Sequence, residues 1–172
     1  LCPETYASLD TAKFPSVLKR VDLNGGVGVR VVHSENELRE CLEQEPWRGH
    51  PYLLQAYVGG ERQSVTHCVC KDGRIVWHCA YAYDPAESNT VCNRGRRIQR
   101  TTEPASRLAE FESFLAPLSY SGPGHFDYKI ANDNRTMVLE INPRFGGSLM
   151  RPDHVSDLSA ALSSILALAV GL

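Results

Sequence analysis

The chain has 172 residues, of which 42% are hydrophobic and 22% are charged, and its formal net charge is −2 at pH 7. This length and composition indicate a globular protein with one ordinary core or two small lobes. The charge provides no overall attraction to nucleic acid or to anionic membranes, so any anion binding must come from local arrangement.

The cysteines and the first residues of the chain indicate its compartment. Six cysteines are scattered without CxxC pairs in a chain large enough to fold without disulfides, which favours a reducing environment. Cys68 and Cys70 share one face of a strand, but no second ligand pair lies nearby, so buried thiols are favoured over a metal site. No signal-type leader and no run of ~18 apolar residues is present. We therefore expect a cytoplasmic protein with no membrane partner.

The first predicted elements are two strands, near 16–22 and 28–33, joined by a glycine-rich loop. The loop, Asn24-Gly25-Gly26-Val27-Gly28, lacks the Gly-Lys-Ser/Thr and the following helix of a P-loop. Glycines let backbone N–H groups approach a phosphate closely, although an ordinary hairpin is favoured when the loop is considered alone. Lys19 precedes the loop on the first strand, where a solvated side chain is the alternative to a phosphate ligand.

The middle of the chain continues with a helix, a strand and a hairpin. Ser34 with Glu37 three residues later is a capping-box pattern and predicts a helix start. The segment "PYLLQAYVGGE" is a short apolar strand that ends in a glycine turn. The run 62–83 contains two β-rich segments joined at Asp72-Gly73, a strong hairpin signal.

Residues 85–102 are polar and without periodicity, which predicts a long loop. It contains several arginines, and nucleic-acid binding is one interpretation of Arg94, Arg96, Arg97 and Arg100. A solvated loop is favoured, because no aromatic residues interleave the arginines as stacking platforms. A helix over 103–118, two more strands and a C-terminal helix complete the prediction.

The two strands before the C-terminal helix bring polar residues together. If Asn132 to Arg135 form a four-residue loop, Asp127 lies opposite Glu140 and His125 lies opposite Asn142. The same register pairs apolar residues on the other face, namely Phe126 with Ile141, Tyr128 with Leu139 and Ile130 with Met137.

Two facing carboxylates repel unless a cation or a proton lies between them. A hard divalent ion such as Mg²⁺ suits Asp127, Glu140 and the amide of Asn142, and it completes its shell with water and phosphates. The alternative is a structural network in which Lys129 or Arg144 neutralises the pair.

In chain order, the strand lysine, the glycine loop, "LLQAYVGGE", "GHFDYKI" and "VLEINPRFGGS" resemble the ATP-grasp superfamily of ATP-dependent carboxylate–amine ligases. The resemblance implies an α+β fold with antiparallel sheets and flanking helices in two small lobes. Residues 1–58 would form the lobe with the glycine loop and hinge, and residues 59–172 the lobe with the metal site. The usual N-terminal α/β domain is absent from this chain and would be a partner within the same protein.

The resemblance also assigns residues to roles. Lys19 matches the family's phosphate-binding lysine, and the loop that covers the phosphates corresponds to Gly25, Gly26 and Gly28. The hinge that holds the adenine corresponds to Gln55, Ala56, Tyr57 and Val58, and Glu61 matches the acid that binds the ribose. The ligands of Mg²⁺, for which Mn²⁺ can substitute, correspond to Asp127, Glu140 and Asn142, and Arg144 matches a basic residue near the transferred phosphate. Arg20 and Gln55 depart from the family pattern, which commonly has proline and glutamate at these positions.

The implied function is ligation of a carboxylate to an amine. Mg-ATP would phosphorylate a small-molecule carboxylate to an acyl-phosphate, the amine substrate would attack it, and ADP and phosphate would leave. Arg144 and Lys19 would be the catalytic residues. One alternative is a nucleotide-binding module that no longer catalyses; another is binding of RNA or single-stranded DNA through Arg94 to Arg100.

Overall fold

The computed structural model describes residues 1–23, 26–59, 62–84 and 97–171. The described residues of 2–61 form one compact unit, and residues 62–84 with 98–171 form another. Both units combine an antiparallel sheet with helices, which confirms the predicted α+β class. Within these ranges, none of the helices is both long enough and apolar enough to cross a membrane.

The unit of residues 2–61 contains a three-stranded antiparallel sheet in the order β2-β1-β3. Its elements are β1 (Ser16–Arg20), β2 (Val29–Val32), α1 (Glu35–Leu42) and β3 (Tyr52–Ala56). Because side chains alternate along a strand, one face of the sheet places Leu18, Val32 and Leu54 in a core with Leu38 and Trp47. The opposite face presents the alternate residues, among them Lys19.

The start of α1 confirms the predicted cap. Ser34 Oγ accepts a hydrogen bond from the Glu37 N–H at 3.2 Å. Glu37 Oε2 in turn accepts from the N–H of His33 at 2.8 Å. In a standard capping box the carboxylate accepts from the N–H of the cap residue itself. Here it accepts from His33, one residue earlier, and so connects the residue that follows β2 to the helix.

The unit that contains residues 62–84 and 98–171 has a five-stranded antiparallel sheet in the order β6-β5-β4-β7-β8. Its strands are β4 (Gln63–Lys71), β5 (Arg74–Tyr83), β6 (Ile98–Thr101), β7 (Gly122–Ile130) and β8 (Thr136–Asn142), and its helices are α2 (Ala105–Leu115) and α3 (Val155–Ala169). Phe111 of α2 packs with Phe126 and Tyr128 on one face of the sheet. Ala161 of α3 packs with Val65 and Tyr81 on the other.

The predicted loop over 85–102 is wrong at its end, because Ile98–Thr101 form β6. Arg100 pairs with Tyr81, and Ile98 pairs with Tyr83. This strand contains a single apolar residue, so its sequence shows no apolar–polar alternation. It forms a strand because it pairs with the edge of β5. Residues 85–96, which include Arg94 and Arg96, lie outside the described residues.

The register of β7 and β8 is confirmed at its polar end and wrong at the other. His125 lies opposite Asn142, Phe126 opposite Ile141 and Asp127 opposite Glu140, as expected. Beyond Asp127 the register shifts by one residue. The observed pairs there are Tyr128 with Val138, Lys129 with Met137 and Ile130 with Thr136.

The shift has a cause in the connecting loop. The Ala131 N–H bonds to Arg135 O at 2.9 Å, and Asn134 has a φ of 64°, so the strands are separated by residues 131–135 rather than by the four predicted. An extra residue in β8, at Leu139, then compensates by forming a β-bulge. The bulge puts Val138 and Thr136 into the core in place of Leu139 and Met137, and Ile141 is 40% exposed.

The β4–β5 hairpin generates a stability prediction at Gly73. Its φ is +79°, and an added Cβ would lie 2.5 Å from the Cα of Ala116. Gly49 has a φ of +73° but nothing within 4 Å of an added Cβ. We predict that Gly73→Ala lowers the free energy of unfolding of its unit by roughly 3 kcal/mol, from backbone strain plus overpacking, whereas Gly49→Ala costs about 1 kcal/mol from strain alone.

Urea unfolding followed by hydrogen exchange in each unit measures both changes. Equal losses for the two variants would contradict the packing of the Gly73 turn against the backbone of Ala116.

Candidate functional site

The polar ends of β7 and β8 form the candidate site. His125 and Asp127 alternate on β7, and Glu140 and Asn142 alternate on β8, so all four side chains belong to one face of the sheet. The Asp127 side chain is 18% exposed, and Glu140 is exposed. The structure therefore brings together the three residues that the sequence suggested as metal ligands.

Hydrogen bonds join these residues. The Asn142 Nδ2 donates to Glu140 Oε1 at 2.8 Å and lies 3.1 Å from His125 Nε2. The Asp127 Oδ2 is 3.4 Å from the same His125 nitrogen. The His125 side chain on β7 thus contacts the Asp127 carboxylate of its own strand and the Asn142 amide of β8.

The donor set decides which metal ion the site fits. Among the residues that the structure describes, no three His, Cys, Asp or Glu side chains gather closely enough to hold a metal ion. Two carboxylates and one amide oxygen are too few for a cage built by protein alone. They match Mg²⁺, which binds proteins through one or two carboxylates and takes its remaining oxygens from water and nucleotide phosphates.

Arg144 follows the site on the loop after β8. Its side chain is exposed, and its Nη1 donates to the Phe145 carbonyl at 3.4 Å. Its own carbonyl oxygen lies 2.7 Å from His125 Nδ1. The Arg144 carbonyl is therefore hydrogen-bonded to His125, whereas the Arg144 side chain is exposed.

The sequence analysis missed a second histidine. His67 of β4 lies opposite His125, with their ring centroids 5.4 Å apart. Its Nδ1 accepts from the Gly146 N–H at 3.4 Å, and its Nε2 is 2.8 Å from Ser148 Oγ. No local signal marks it, because β4 and β7 are separated along the chain by β5, β6 and α2.

Burial determines the charge of His67. The residue is fully buried, and this burial, together with the nearby His125 and His154, lowers the pKa of the imidazole to about 3. Asp157 opposes the shift only weakly. His67 is therefore neutral near pH 7, with one donor and one acceptor nitrogen.

The residues suggested for nucleotide binding belong to the unit of residues 2–61. On β1, Lys19 pairs with Leu53 of β3, and Val17 pairs with Gln55. Val17 and Lys19 are two residues apart on β1 and therefore share a face, and Gln55 shares the face of Val17, which lies directly opposite it. Lys19 and Gln55 thus lie on the same face of this sheet. The Gln55 Nε2 donates to Thr5 Oγ1 at 3.0 Å.

The hinge backbone is partly used by the fold itself. The Ala56 N–H donates to Glu4 O at 2.8 Å, and the Tyr57 N–H donates to Pro15 O at 3.3 Å. Val58 is buried, whereas Tyr57 is 42% exposed. Glu61 lies outside the described residues.

The glycine loop is described only in part, since Gly25 lies outside the described residues. Gly26 and Gly28 both have positive φ, at 78° and 70°. An added Cβ at Gly28 would lie 2.7 Å from the Cγ of Arg20, so the fold itself requires a glycine there. Gly28 alone is consequently no evidence for phosphate binding.

Arg100 is paired within its own unit. Its Nε and Nη2 each donate to a carboxylate oxygen of Asp157 at 3.0 Å. The same carboxylate accepts from the hydroxyl of Tyr81 at 2.7 Å, and burial plus this bond raise the pKa of Tyr81. This pairing weakens the nucleic-acid interpretation of the arginine segment.

Comparison with known proteins shows the family. A family model described as an ATP-grasp domain matches residues 2–148. The arginine-specific large chain of carbamoyl phosphate synthase from Geobacillus stearothermophilus is 29% identical over 146 residues, which cover 76% of this chain and 13% of that protein. The human mitochondrial carbamoyl-phosphate synthase [ammonia] is 25% identical over 139 residues, which cover 76% of this chain and 9% of that protein. The chain thus spans roughly a tenth of the length of these curated relatives.

The fold is similar to that of solved structures. A D-alanine–D-alanine ligase structure from Bacillus anthracis matches with a TM-score of 0.64 at 17% identity, covering 99% of this chain and 61% of that chain. At this identity the likeness establishes the fold.

The burial of His67 generates a prediction about pH. Its pKa is about 3 in the folded protein and near 6.5 in the unfolded chain, so unfolding takes up a proton between these values. Stability from this residue is complete above about pH 6.5 and is lost as the pH falls, by ~1.4 kcal/mol per pH unit. We predict that His67→Gln removes this slope.

Urea unfolding of the parent and of His67→Gln between pH 4 and pH 7 measures the difference, with the exposed His78→Gln as the control. Parallel curves for the parent and His67→Gln would show that His67 takes up its proton without unfolding.

Proposed function

Because the chain belongs to the ATP-grasp family, we propose that it carries out ATP-dependent carboxylate–amine ligation. A substrate carboxylate oxygen attacks the γ-phosphorus of ATP, the bond to the β-phosphate oxygen breaks, and ADP leaves. The resulting acyl-phosphate is attacked by an amine, whose proton passes to solvent while inorganic phosphate departs. The facing of Asp127 and Glu140 beside Asn142 is the observation that carries the proposal.

The residues of β7 and β8 provide the metal half of this chemistry. Mg²⁺, for which Mn²⁺ can substitute, supplies charge neutralisation of the ATP phosphates when bound. Asp127, Glu140 and the Asn142 amide oxygen hold it, which relieves the repulsion between the two carboxylates. Arg144 stabilises the negative charge of the transferred phosphoryl group from the loop that follows.

The sheet of residues 2–61 provides the nucleotide half. Lys19 binds the ATP phosphates, and the glycine segment that includes Gly25, Gly26 and Gly28 covers them. Gln55 to Val58 contact the adenine, and Glu61 contacts the ribose. The shared face of Lys19 and Gln55 supports these assignments, because one nucleotide must reach both residues.

The proposal extends to domain organisation. Residues 1–58 act as the nucleotide lobe and residues 59–172 as the metal lobe, and an N-terminal α/β domain of the same protein completes the enzyme. The small share of the curated relatives that this chain covers supports such a larger protein. A nucleotide-binding module without catalysis is the second candidate, and product analysis separates the two.

The metal assignment predicts that Asp127→Asn and Glu140→Gln weaken Mg²⁺-dependent ATP binding by roughly tenfold or more, since each removes a ligand charge. Calorimetry with and without Mg²⁺ measures this effect. Asp133→Asn is the matched control, because Asp133 lies in the loop at the other end of the same hairpin and pairs with Arg135. A parent chain that binds Mg-ATP, with unchanged binding in both site variants, would refute the assignment.

The chemistry predicts the products. Incubation of the protein with ATP, a panel of carboxylates and hydroxylamine should give a hydroxamate with ADP and phosphate, because hydroxylamine intercepts the acyl-phosphate. Arg144→Ala should lower this rate by roughly 10²-fold, the scale of losing one preorganised charge-stabilising group. Arg135→Ala, which removes an exposed arginine from the loop that precedes β8, should leave the rate unchanged.

AMP and pyrophosphate as products would refute the mechanism. Nucleotide binding without turnover of any carboxylate would favour the non-catalytic module instead.

A further inference from the structure

His125 makes two hydrogen bonds whose directions can be assigned. The carbonyl oxygen of Arg144 only accepts, so His125 Nδ1, 2.7 Å away, must carry the proton. The Asn142 Nδ2 is an amide NH₂ group and can only donate, so His125 Nε2, 3.1 Å away, accepts from it. The Asp127 Oδ2 is further from this nitrogen, at 3.4 Å, so the amide is the nearer partner.

These bonds set the orientation of the Asn142 amide. Its NH₂ group donates to His125 Nε2 and to Glu140 Oε1 at 2.8 Å. The Oδ1 atom lies on the other side of the amide and therefore points away from both partners. An amide rotated by 180° would turn its NH₂ group toward the cation position, where it cannot act as a ligand.

The His125 ring is itself held in place. An added Cβ at Gly146 would lie 3.1 Å from the Cε1 atoms of both His125 and His67, and 3.2 Å from His125 Nε2. The two imidazoles therefore pack directly on this glycine. His67 also anchors the loop through the Gly146 N–H and Ser148 Oγ. Close contact on one side and hydrogen bonds at both nitrogens leave the His125 ring little freedom to turn.

We propose that His125 is a positioning residue for the metal site: it turns the Asn142 carbonyl toward the cation and fixes the backbone that carries Arg144. This inference rests on the proposed function, since it assigns His125 a role toward Asn142 and Arg144. Hydrogen bonding by residues behind the metal ligands orients those ligands and affects metal affinity by about 10- to 100-fold.

Two substitutions separate the two bonds. In His125→Asn the short amide lies near the former Nδ1, so it can still donate to Arg144 O but cannot reach Asn142. In His125→Gln the longer amide lies near the former Nε2, so it can bond Asn142 but loses the Arg144 carbonyl. Each variant is the matched control of the other, and substitution of an exposed histidine of β5, His78→Asn, controls for loss of a histidine.

Two readouts distinguish the variants, namely the dissociation constant of Mn²⁺–ADP from water-proton relaxation and hydrogen exchange of the amides of residues 144–148. His125→Asn should weaken Mn²⁺–ADP binding by roughly tenfold and leave loop exchange close to that of the parent. His125→Gln should retain binding within about threefold and accelerate loop exchange. A residue that serves only to fill the interior would give the same pattern in both variants.

A second pair of variants covers the case in which a His125 substitution unfolds the protein. Gly146→Ala should displace the His125 ring by a few tenths of an ångström and weaken Mn²⁺–ADP binding, by about threefold or more. Gly147→Ala should not, because nothing lies within 4 Å of an added Cβ there.

The outcomes separate the inference from the proposed function. A parent protein that does not bind Mn²⁺–ADP would overturn the metal site and this inference with it. A parent that binds, with affinity unchanged in His125→Asn and in Gly146→Ala, would overturn the role of His125 and leave the metal site intact.

Discussion

The facing of Asp127 and Glu140 across β7 and β8 is the arrangement around which this part of the molecule is organised. Antiparallel pairing brings the two carboxylates directly opposite each other, where like charges destabilise the sheet unless a cation lies between them. The residues 131–135 by themselves would put the strands out of this register, and the bulge at Leu139 restores it. The fold thus uses a β-bulge to place Asp127 opposite Glu140, an arrangement that a bound cation would stabilise, and this is the strongest reason to propose that the pair is functional.

The opposite face of the same strand shows how the pair is held. Phe126, next to Asp127, stacks on Phe111 of α2 with ring centroids 4.4 Å apart, and the Tyr128 hydroxyl bonds to Glu103. A rigid, well-packed element therefore carries the polar side chains, as precise positioning of ligands requires. Behind them, the His125 and His67 rings pack on Gly146 and connect the strand ends to the loop of Arg144. The site is consequently supported from within its own unit.

Local signals in the sequence predicted local structure correctly. The Ser34 cap, the Asp72-Gly73 hairpin and the Asp127–Glu140 pairing each depend on residues close along the chain or on one connecting loop. Features that depend on distant partners were missed. β6 forms because the edge of β5 is available, and His67 meets His125 only because β4 and β7 become neighbours. At Gly28, close contact with Arg20 provides a structural reason for a glycine, so the residue type alone does not test its predicted role toward phosphate.

The central claim is that Asp127, Glu140 and Asn142 hold a divalent ion together with a nucleotide. A crystal structure of the protein with Mn²⁺ and ADP, with diffraction recorded at the manganese absorption edge, tests it most directly. The account predicts an anomalous peak about 2.1 Å from carboxylate oxygens of Asp127 and Glu140 and from the Asn142 Oδ1, with phosphate oxygens completing the shell. Bound nucleotide with manganese located elsewhere, or with no manganese at this pair, would contradict it.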